Sequence, residues 1–383
     1  IESQRGGVGL TTTGQCLYES AIHSIISSTR DCFERIVVYR LSQLVLLAGV
    51  VVAGSATSTA DVVVRAENFT VPPATGPVTH ILVRNNSDAE CTVTIEPEFP
   101  HGWQWTPENR EVTLPPGEVK RLPFTIEKAL DARSNRYAVK ITVVRGSDKV
   151  VHQQSVVCAS APYFTPKIDG KFKDWSDAIP VTFTTAGKKT IVSTYWSRRH
   201  FYLYVQVEED KLCSHKKNAG QVDAVQFAIA PSNAVTPFEA RAQSQRSEFL
   251  LVDVGGMFGK DKCFQLVRPG QELSLTQLQR TLEALQLKDA QVAVKRQSKI
   301  THYECAIPFS AVPTVRPAVG REIRFSILVH DPDGTGIRDW GKAAGLWPEQ
   351  RNPLAWRKWS HVEWPADPPY DSKVEFGLCS SKR

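Results

Sequence analysis

The sequence has little cysteine, almost no methionine and no long apolar run. Eight cysteines in 383 residues are too few for a small scaffold held together mainly by disulfides. The longest apolar stretch, residues 41–53, has about 13 residues, whereas a membrane-spanning helix needs about 20. With 42% hydrophobic and 22% charged residues the chain is able to bury a core, which excludes disorder throughout.

Features of several functional classes are also missing. Basic residues outnumber acidic ones by only 46 to 40 and form no basic stripe, so we predict no nucleic-acid partner. The catalytic motifs G-x-S-x-G and H-E-x-x-H are absent. The densest acidic run, Glu208–Asp210, ends a predicted strand and is interpreted as a solvated turn. The sequence favours a protein without catalytic activity, and a hydrolase with an unrecognised site stays open as an alternative.

Residues 35–60 have the organisation of a secretory signal peptide. Two arginines precede the apolar run 41–53, and small residues follow it up to Ala60. This pattern predicts cleavage after Ala60 and a secreted, periplasmic or cell-surface protein without a stable membrane span. A buried helix or an uncleaved anchor is the alternative. Because signal peptides stand at the start of a chain, we expect residues 1–34 to be an upstream extension of uncertain status.

The cysteines do not define a disulfide pattern. Six of them lie beyond residue 60, and an even number in an oxidising compartment permits several disulfide pairings. Buried thiols are an equally good interpretation, and no Cys/His cluster has the spacing of a zinc site. The six residues are Cys91, Cys158, Cys213, Cys263, Cys305 and Cys379.

Residues 61–158 predict an antiparallel β-sandwich, because about seven short alternating runs are separated by turn residues. The characteristic motifs are Asn85–Ala89, Pro100–Trp103, Leu114–Glu118 and Tyr137–Ile141. Together they resemble the Ig-like domain that accompanies many bacterial glycosidase and sugar-binding modules. The resemblance implies a supporting domain, and we expect Trp103 and Trp105 to be packing residues.

A second β-rich pattern, over residues 167–383, follows a short proline-containing linker at 159–166. Its stretches, in order, are Ile168–Trp175 (I-D-G-x-x-x-D-W), Thr194–Asp210, Gln221–Ala230, Thr301–Ser310 and Arg324–Gly334. They resemble family 9 carbohydrate-binding modules and related DOMON-like domains, which implies a jelly-roll-like sandwich. The predicted fold class is therefore all-β, with two tandem β-sandwiches after the signal peptide. One helix is predicted at Leu273–Leu287, where leucines recur at helical spacing.

Aromatic residues are concentrated near the end of this second pattern. Five tryptophans lie between positions 340 and 364, in a segment whose prolines and glycines predict loops. Flat apolar rings suit the C–H faces of pyranose sugars, and polar neighbours suit their hydroxyl groups. The segment predicts a sugar-binding loop. A loop that its aromatic side chains pack onto the sandwich is the alternative.

The family resemblance implies individual ligand-binding residues. In family 9 modules an asparagine precedes a tryptophan in a late loop, and that tryptophan stacks on the terminal sugar. Asn352 and Trp356 match this pair. The family's second tryptophan has no counterpart here, and Gln226 replaces its hydroxyl-binding glutamate, which removes a charge-assisted hydrogen bond. The complete predicted set is Trp356, Asn352, Trp347, Trp359, Arg357 and Gln226.

Acidic residues near the end of the last of these stretches predict a cation site. Asp331 and Asp333 offer carboxylate oxygens, the ligands that calcium prefers, and the family resemblance implies calcium in such acidic loops. A β-turn with Asp and Gly in their usual positions is the alternative. Calcium is the one cofactor that the sequence predicts.

These features together predict an exported, non-catalytic protein that binds polysaccharide or oligosaccharide and takes part in carbohydrate catabolism. Two alternatives remain. One is a structural or adhesion protein of the cell envelope that keeps the fold without a sugar site. The other is an accessory component of a glycoside hydrolase.

Overall fold

The computed structural model describes residues 61–212, 223–232, 248–253, 261–267, 286–343 and 374–379. Within these ranges the chain forms 20 β-strands, one helical turn and three short 3-10 turns, so the predicted all-β fold class is confirmed. The predicted signal peptide, the residues before it and most of the predicted helix lie outside the described residues. None of the described helices is long and apolar enough to cross a membrane.

Residues 62–156 form two four-stranded antiparallel sheets. The strands are β1 (Val62–Ala66), β2 (Val78–Asn85), β3 (Cys91–Glu98), β4 (Gln104–Thr106), β5 (Arg110–Leu114), β6 (Val119–Lys128), β7 (Tyr137–Arg145) and β8 (Asp148–Val156). The first sheet has the order β1–β2–β6–β4, and the second has the order β5–β3–β7–β8. Six of these strands coincide with alternating runs of the sequence.

Strand alternation builds the core between these two sheets. In β3, Cys91, Val93 and Ile95 are buried, whereas the residues between them are partly or fully exposed. Side chains from both sheets meet in one apolar cluster, which makes this part of the chain a β-sandwich. Its assignment as Ig-like stays a prediction.

Trp103 closes one part of this core. Its ring is 8% exposed and packs against the rings of Phe69, Phe99 and Tyr137, with centroids 5.3–6.2 Å away. Trp105 packs edge-on against Phe99 at 5.3 Å. Both tryptophans are therefore packing residues, as the sequence predicts.

Residues 160–378 form a second sandwich. Its first strands are β9 (Ser160–Ala161), β10 (Val181–Thr185), β11 (Lys188–Trp196), β12 (His200–Glu208), β13 (Ala224–Pro231) and β14 (Glu248–Asp253). The remaining elements are β15 (Lys262–Val267), β16 (Gln291–Gln297), β17 (Ile300–Pro308), β18 (Arg321–Asp331), β19 (Gly336–Asp339), the helical turn α1 (Trp340–Ala343) and β20 (Val374–Leu378). A five-stranded sheet has the order β10–β11–β12–β17–β16. The other sheet has the order β15–β14–β13–β18–β20–β9, and β19 also pairs with β18.

Alternate residues of these strands fill the space between the two sheets. Val225, Phe227 and Ile229 of β13 point inward, and so do Phe325 and Ile327 of β18. All five are at most 1% exposed. Burying a side chain of this size contributes about 1.5–3 kcal/mol, so the two central strands account for much of the stability of this sandwich.

Two thiols meet inside this core. Cys263 of β15 and Cys305 of β17 are each 1% exposed, and their side chains form a hydrogen bond with each other. Burial, followed by this contact, raises the pKa of Cys305 well above its ordinary value. Both cysteines are free in this structure, which is one of the two interpretations that the sequence leaves open, and the raised pKa keeps Cys305 protonated.

The I-D-G-x-x-x-D-W motif covers the side of the five-stranded sheet that is directed away from the core. The ring of Trp175 stacks on Tyr195 and Tyr204 at 5.1 and 5.2 Å. Its indole N–H donates to Glu304 Oε1 at 2.8 Å, and the backbone N–H of Gly170 donates to Glu304 Oε2 at 2.7 Å. The motif is therefore a structural cover that is held by a glutamate from β17.

The predicted linker is built into both sandwiches. Ala159 donates its backbone N–H to Phe69 of the first sandwich at 2.7 Å and accepts one from Gly377 of β20 at 2.9 Å. Strand β9 then pairs in parallel with β20. Gly377 has no space for a side chain, because an added Cβ would lie 1.8 Å from the backbone oxygen of Thr70. The predicted domain boundaries themselves stay a prediction.

A buried carboxylate reinforces this junction. Glu375 of β20 is 4% exposed and accepts two hydrogen bonds from Arg65 of β1, at 2.6 and 3.2 Å. Arg324 of β18 adds a third at 2.7 Å. Burial alone would raise the pKa of Glu375, but the two guanidinium groups outweigh it and lower the pKa to about 2. Glu375 therefore ties the first sandwich to the second.

Acid is expected to weaken the protein through Glu375. Because its folded pKa lies below the ordinary value of 4.5, its contribution is complete above pH 4.5 and is lost as the pH falls toward about 2. The loss amounts to roughly 3 kcal/mol of unfolding free energy. Urea unfolding of the wild type and of Glu375→Gln over this pH range should show a difference that shrinks as the pH falls. The exposed Glu98→Gln variant is the control, and a difference that stays constant for Glu375→Gln would contradict the expectation.

Candidate functional site

One face of the seven-stranded sheet carries a row of polar side chains directed away from the core. In β18 the inward residues alternate with Glu322, Arg324, Ser326, Leu328 and His330, none of which belongs to the apolar core. We call this side the outer face. The strand register places Gln226 of β13 directly beside Leu328 on it.

Gln226 is fully buried on the outer face. Its Oε1 lies 2.9 Å from His330 Nε2, and its Nε2 has no hydrogen-bond partner among the described residues. Burial lowers the pKa of His330 to about 3, so the imidazole is neutral. Because an amide oxygen only accepts, the His330 Nε2 carries the proton and donates it to Gln226. No described residue accepts a hydrogen bond from the amide N–H groups of Gln226.

The first sandwich occupies the other end of this face. Arg121 of β6 reaches Glu322 at 3.5 Å, and Arg324 is bound to Glu375 at the junction. Ser326, next along the row, is 3% exposed, and its Oγ has no hydrogen-bond partner among the described residues. The outer face is thus filled from Glu322 to Arg324, and its unsatisfied polar groups begin at Ser326.

The loop residues that the sequence predicts for sugar binding lie outside the described residues. They are Asn352, Trp347, Trp356, Trp359 and Arg357, and their roles stay predictions. Trp340, the first tryptophan of that segment, is described. It is 3% exposed and packs between the rings of Phe325 and Phe376, so it belongs to the core.

A cluster of three buried carboxyl groups closes one end of the second core. Glu209, Asp223 and Asp331 each offer an oxygen, and these oxygens all lie within 4.8 Å of one another. The three residues continue the inward-facing positions of β12, β13 and β18. The prediction that Glu208–Asp210 is a solvated turn is wrong for Glu209, which is 1% exposed because strand alternation carries it between the sheets.

Arg338 of β19 lies inside this cluster. Its side chain is fully buried and donates to Asp331 Oδ2 at 2.5 Å, to the backbone oxygen of Glu208 at 2.7 Å and to Thr335 Oγ1 at 2.7 Å. Asp331 Oδ2 also accepts from the Thr335 backbone N–H at 3.0 Å and from its hydroxyl at 2.9 Å. Burial would raise the pKa of Asp331, but these donors lower it.

Glu209 has its own cation. Arg296 of β16 donates to Glu209 Oε1 at 3.0 Å, and the hydroxyl of Thr301 donates to the same oxygen. Burial nevertheless raises the pKa of Glu209 to about 7, against the effects of Thr301 and Arg296. Among the described residues, the guanidinium groups of Arg338 and Arg296 thus hold Asp331 and Glu209, and Glu209 is partly protonated near neutral pH.

The predicted calcium site does not fit this arrangement. Calcium takes about six to eight oxygen ligands and favours uncompensated carboxylates. Asp331 already satisfies Arg338 and Thr335, whereas Asp333 is exposed and outside the cluster. Strand alternation buries Asp331 against arginine and leaves Asp333 in the following turn, so the structure separates the two predicted ligands, and calcium binding by this pair stays a prediction.

Comparisons with known proteins give only distant likenesses. No protein-family model and no curated protein matches the chain. Two solved structures of a family 9 carbohydrate-binding module from Caldicellulosiruptor kristjanssonii, with glucose and with cellotriose, are similar at 14% identity and a TM-score of 0.37. Each match covers 58% of this chain and 95% or 94% of the module. The Escherichia coli chaperone DraB is similar over 37% of this chain and 70% of its own, at 13% identity and a TM-score of 0.19.

Calcium is expected to leave the stability of the protein unchanged. The melting temperature should be the same in excess calcium and in EDTA, because arginine already compensates the buried carboxylates. Differential scanning fluorimetry measures it, with Asp333→Asn as an exposed control outside the cluster. A calcium-dependent rise that Glu209→Gln abolishes and Asp333→Asn preserves would contradict this expectation.

Proposed function

We propose that this protein is an exported, non-catalytic carbohydrate-binding protein whose ligand lies against the outer face near Gln226 and Ser326. The observation that carries the proposal is a pair of polar groups, Gln226 Nε2 and Ser326 Oγ, that lie diagonally across adjacent strands and have no hydrogen-bond partner among the described residues. A buried polar group without a partner costs about 1–3 kcal/mol. Sugar hydroxyl groups would satisfy both, since each hydroxyl donates and accepts.

The described elements on either side of the aromatic segment support this proposal. Strand β19 pairs with β18 beside His330, α1 follows directly, and β20 returns to pair with β18. The two strands that flank residues 344–373 in the sequence thus both pair with the strand that carries the polar row. Under the proposal, Trp356 supplies the stacking platform, Trp347 or Trp359 adds a second, and Asn352 and Arg357 bind hydroxyl groups.

The described carboxyl groups support a role in binding rather than in hydrolysis. A glycosidase needs two carboxyl groups that flank a bound sugar. Glu209 and Asp331 are instead buried between the sheets and hydrogen-bonded to arginine and threonine, away from the outer face. They stabilise the end of the core.

A structural role without a sugar site is the second candidate. The observation that favours it is the complete burial of Gln226, whose side-chain oxygen is already bound to His330. On this interpretation the outer face is an internal surface of the folded protein, and the protein contributes its fold to an envelope or adhesive assembly.

Tryptophan fluorescence separates the two candidates. The purified protein is titrated with neutral oligosaccharides, including glucose and cello-oligosaccharides, and we expect a saturable change. Trp356→Ala and Gln226→Met should each weaken binding by about tenfold or more, the loss from one stacking contact or from a hydrogen-bonding donor.

Gln154→Met is the matched control for the glutamine variant. Gln154 lies in the first sandwich, where its amide bonds both backbone groups of Ala66 at 3.0 and 2.8 Å. This variant should lose stability and keep binding. No saturable change with any neutral glycan, in protein that circular dichroism shows to be folded, would overturn the proposal and favour the structural candidate.

A further inference from the structure

A second concave surface lies on the outer side of the five-stranded sheet. It is an open trough of about 420 Å³, at the end where β12 begins. Its floor is a row of three neighbours across β12, β17 and β16, namely Tyr202, Ala306 and Gln291. The trough is deep at the middle of this row because the side chain of Ala306 is small.

The β11–β12 turn forms the cationic wall of the trough. Ser197 donates its backbone N–H to the oxygen of His200 at 2.8 Å, and Ser197 Oγ accepts from the N–H groups of Arg199 and His200 at 3.3 and 3.1 Å. These bonds fix the backbone that carries Arg198 and Arg199. Both arginines are exposed and form no ion pair with a described residue, so their charge is available to a ligand.

An aromatic ring also lines the trough. Tyr163 is 41% exposed, although it is a large side chain, and its ring packs edge-on against Trp196 at 4.9 Å. That contact orients the ring without covering it. Ser197 and Tyr202 also line the trough, and their hydroxyl groups lie 3.4 Å apart. No acidic side chain is among the described residues that line the trough.

This trough is separate from the site proposed above. Strand β12 begins at His200, in the trough, and ends at Glu208, beside the buried carboxylate cluster. The two sites therefore lie at opposite ends of the sandwich and on different sheets.

We propose that the trough binds an acidic saccharide, a pyranose unit that carries a carboxylate or a sulfate group. Arg198 and Arg199 supply the paired guanidinium groups that bind such anions with charge-assisted hydrogen bonds. Tyr163 offers an apolar face to the ring, and the hydroxyl groups of Ser197 and Tyr202 bind those of the sugar. The volume lies within the range of about 300–1,000 Å³ found for small-ligand sites.

Isothermal titration calorimetry tests the proposal with one matched pair of ligands. The purified protein is titrated with a uronic-acid trisaccharide and with its carboxyl-reduced, neutral counterpart. We expect saturable binding of the acid and at least about tenfold weaker binding of the neutral sugar. The double variant Arg198→Gln/Arg199→Gln should bind the acid more weakly by about the same factor. Tyr163→Ala should lower the affinity for both ligands.

The control is Arg133→Gln/Arg136→Gln, which removes the same charge from two exposed arginines that do not line the trough. It should bind like the wild type. Equal affinity for both sugars, an equal loss in the control, or competition by inorganic sulfate as effective as that by the trisaccharide would overturn the proposal. The two ligand classes are scored separately in the wild type, so that saturable binding of the acid without a response to neutral glycans is a failure at the outer face, and the reverse is a failure here.

Discussion

Glu375 lies between two guanidinium groups, and the rest of the structure depends on the same constraint, that a buried carboxylate needs a cation beside it. A carboxylate that is 4% exposed is costly unless cations compensate it, and Arg65 and Arg324 approach it from the two sandwiches. The same requirement is met at the far end of the second core, where Arg338 holds Asp331 and Arg296 holds Glu209. Buried acids paired with arginine thus mark both the junction of the sandwiches and the closed end of the core.

Strand β18 shows how one backbone serves several purposes. Its inward residues are core, its outward residues begin with the junction and end with the polar groups beside Gln226, and its last residue, Asp331, enters the carboxylate cluster. Successive side chains of a strand point to opposite faces of the sheet. A shift of one residue in register would therefore move the core residues to the outer face and the polar residues into the core. The position of Gln226 on the outer face, near His330 and Ser326, is therefore a consequence of register.

The two proposed sites use the same scaffold in different ways. At the outer face the sheet itself supplies buried polar groups, and a loop segment is proposed to supply the aromatic rings. At the trough a short hydrogen-bonded turn supplies charge, and the exposed ring of Tyr163 supplies an apolar surface. A protein with both would hold a neutral glycan at one end of the second sandwich and an acidic saccharide at the other.

The sequence by itself determined the fold class and most strands, because alternation with period two and turn residues are local signals. It also identified Trp103 and Trp105 as packing residues. Only the tertiary structure decided which charged side chains are buried and which of them pair. It buried Glu209, separated Asp331 from Asp333, paired Asp331 with Arg338 and joined Arg65 to Glu375, residues that are 310 positions apart. Whether a carboxylate faces water, a metal ion or an arginine depends on which strands become neighbours, and sequence spacing carries no information about that.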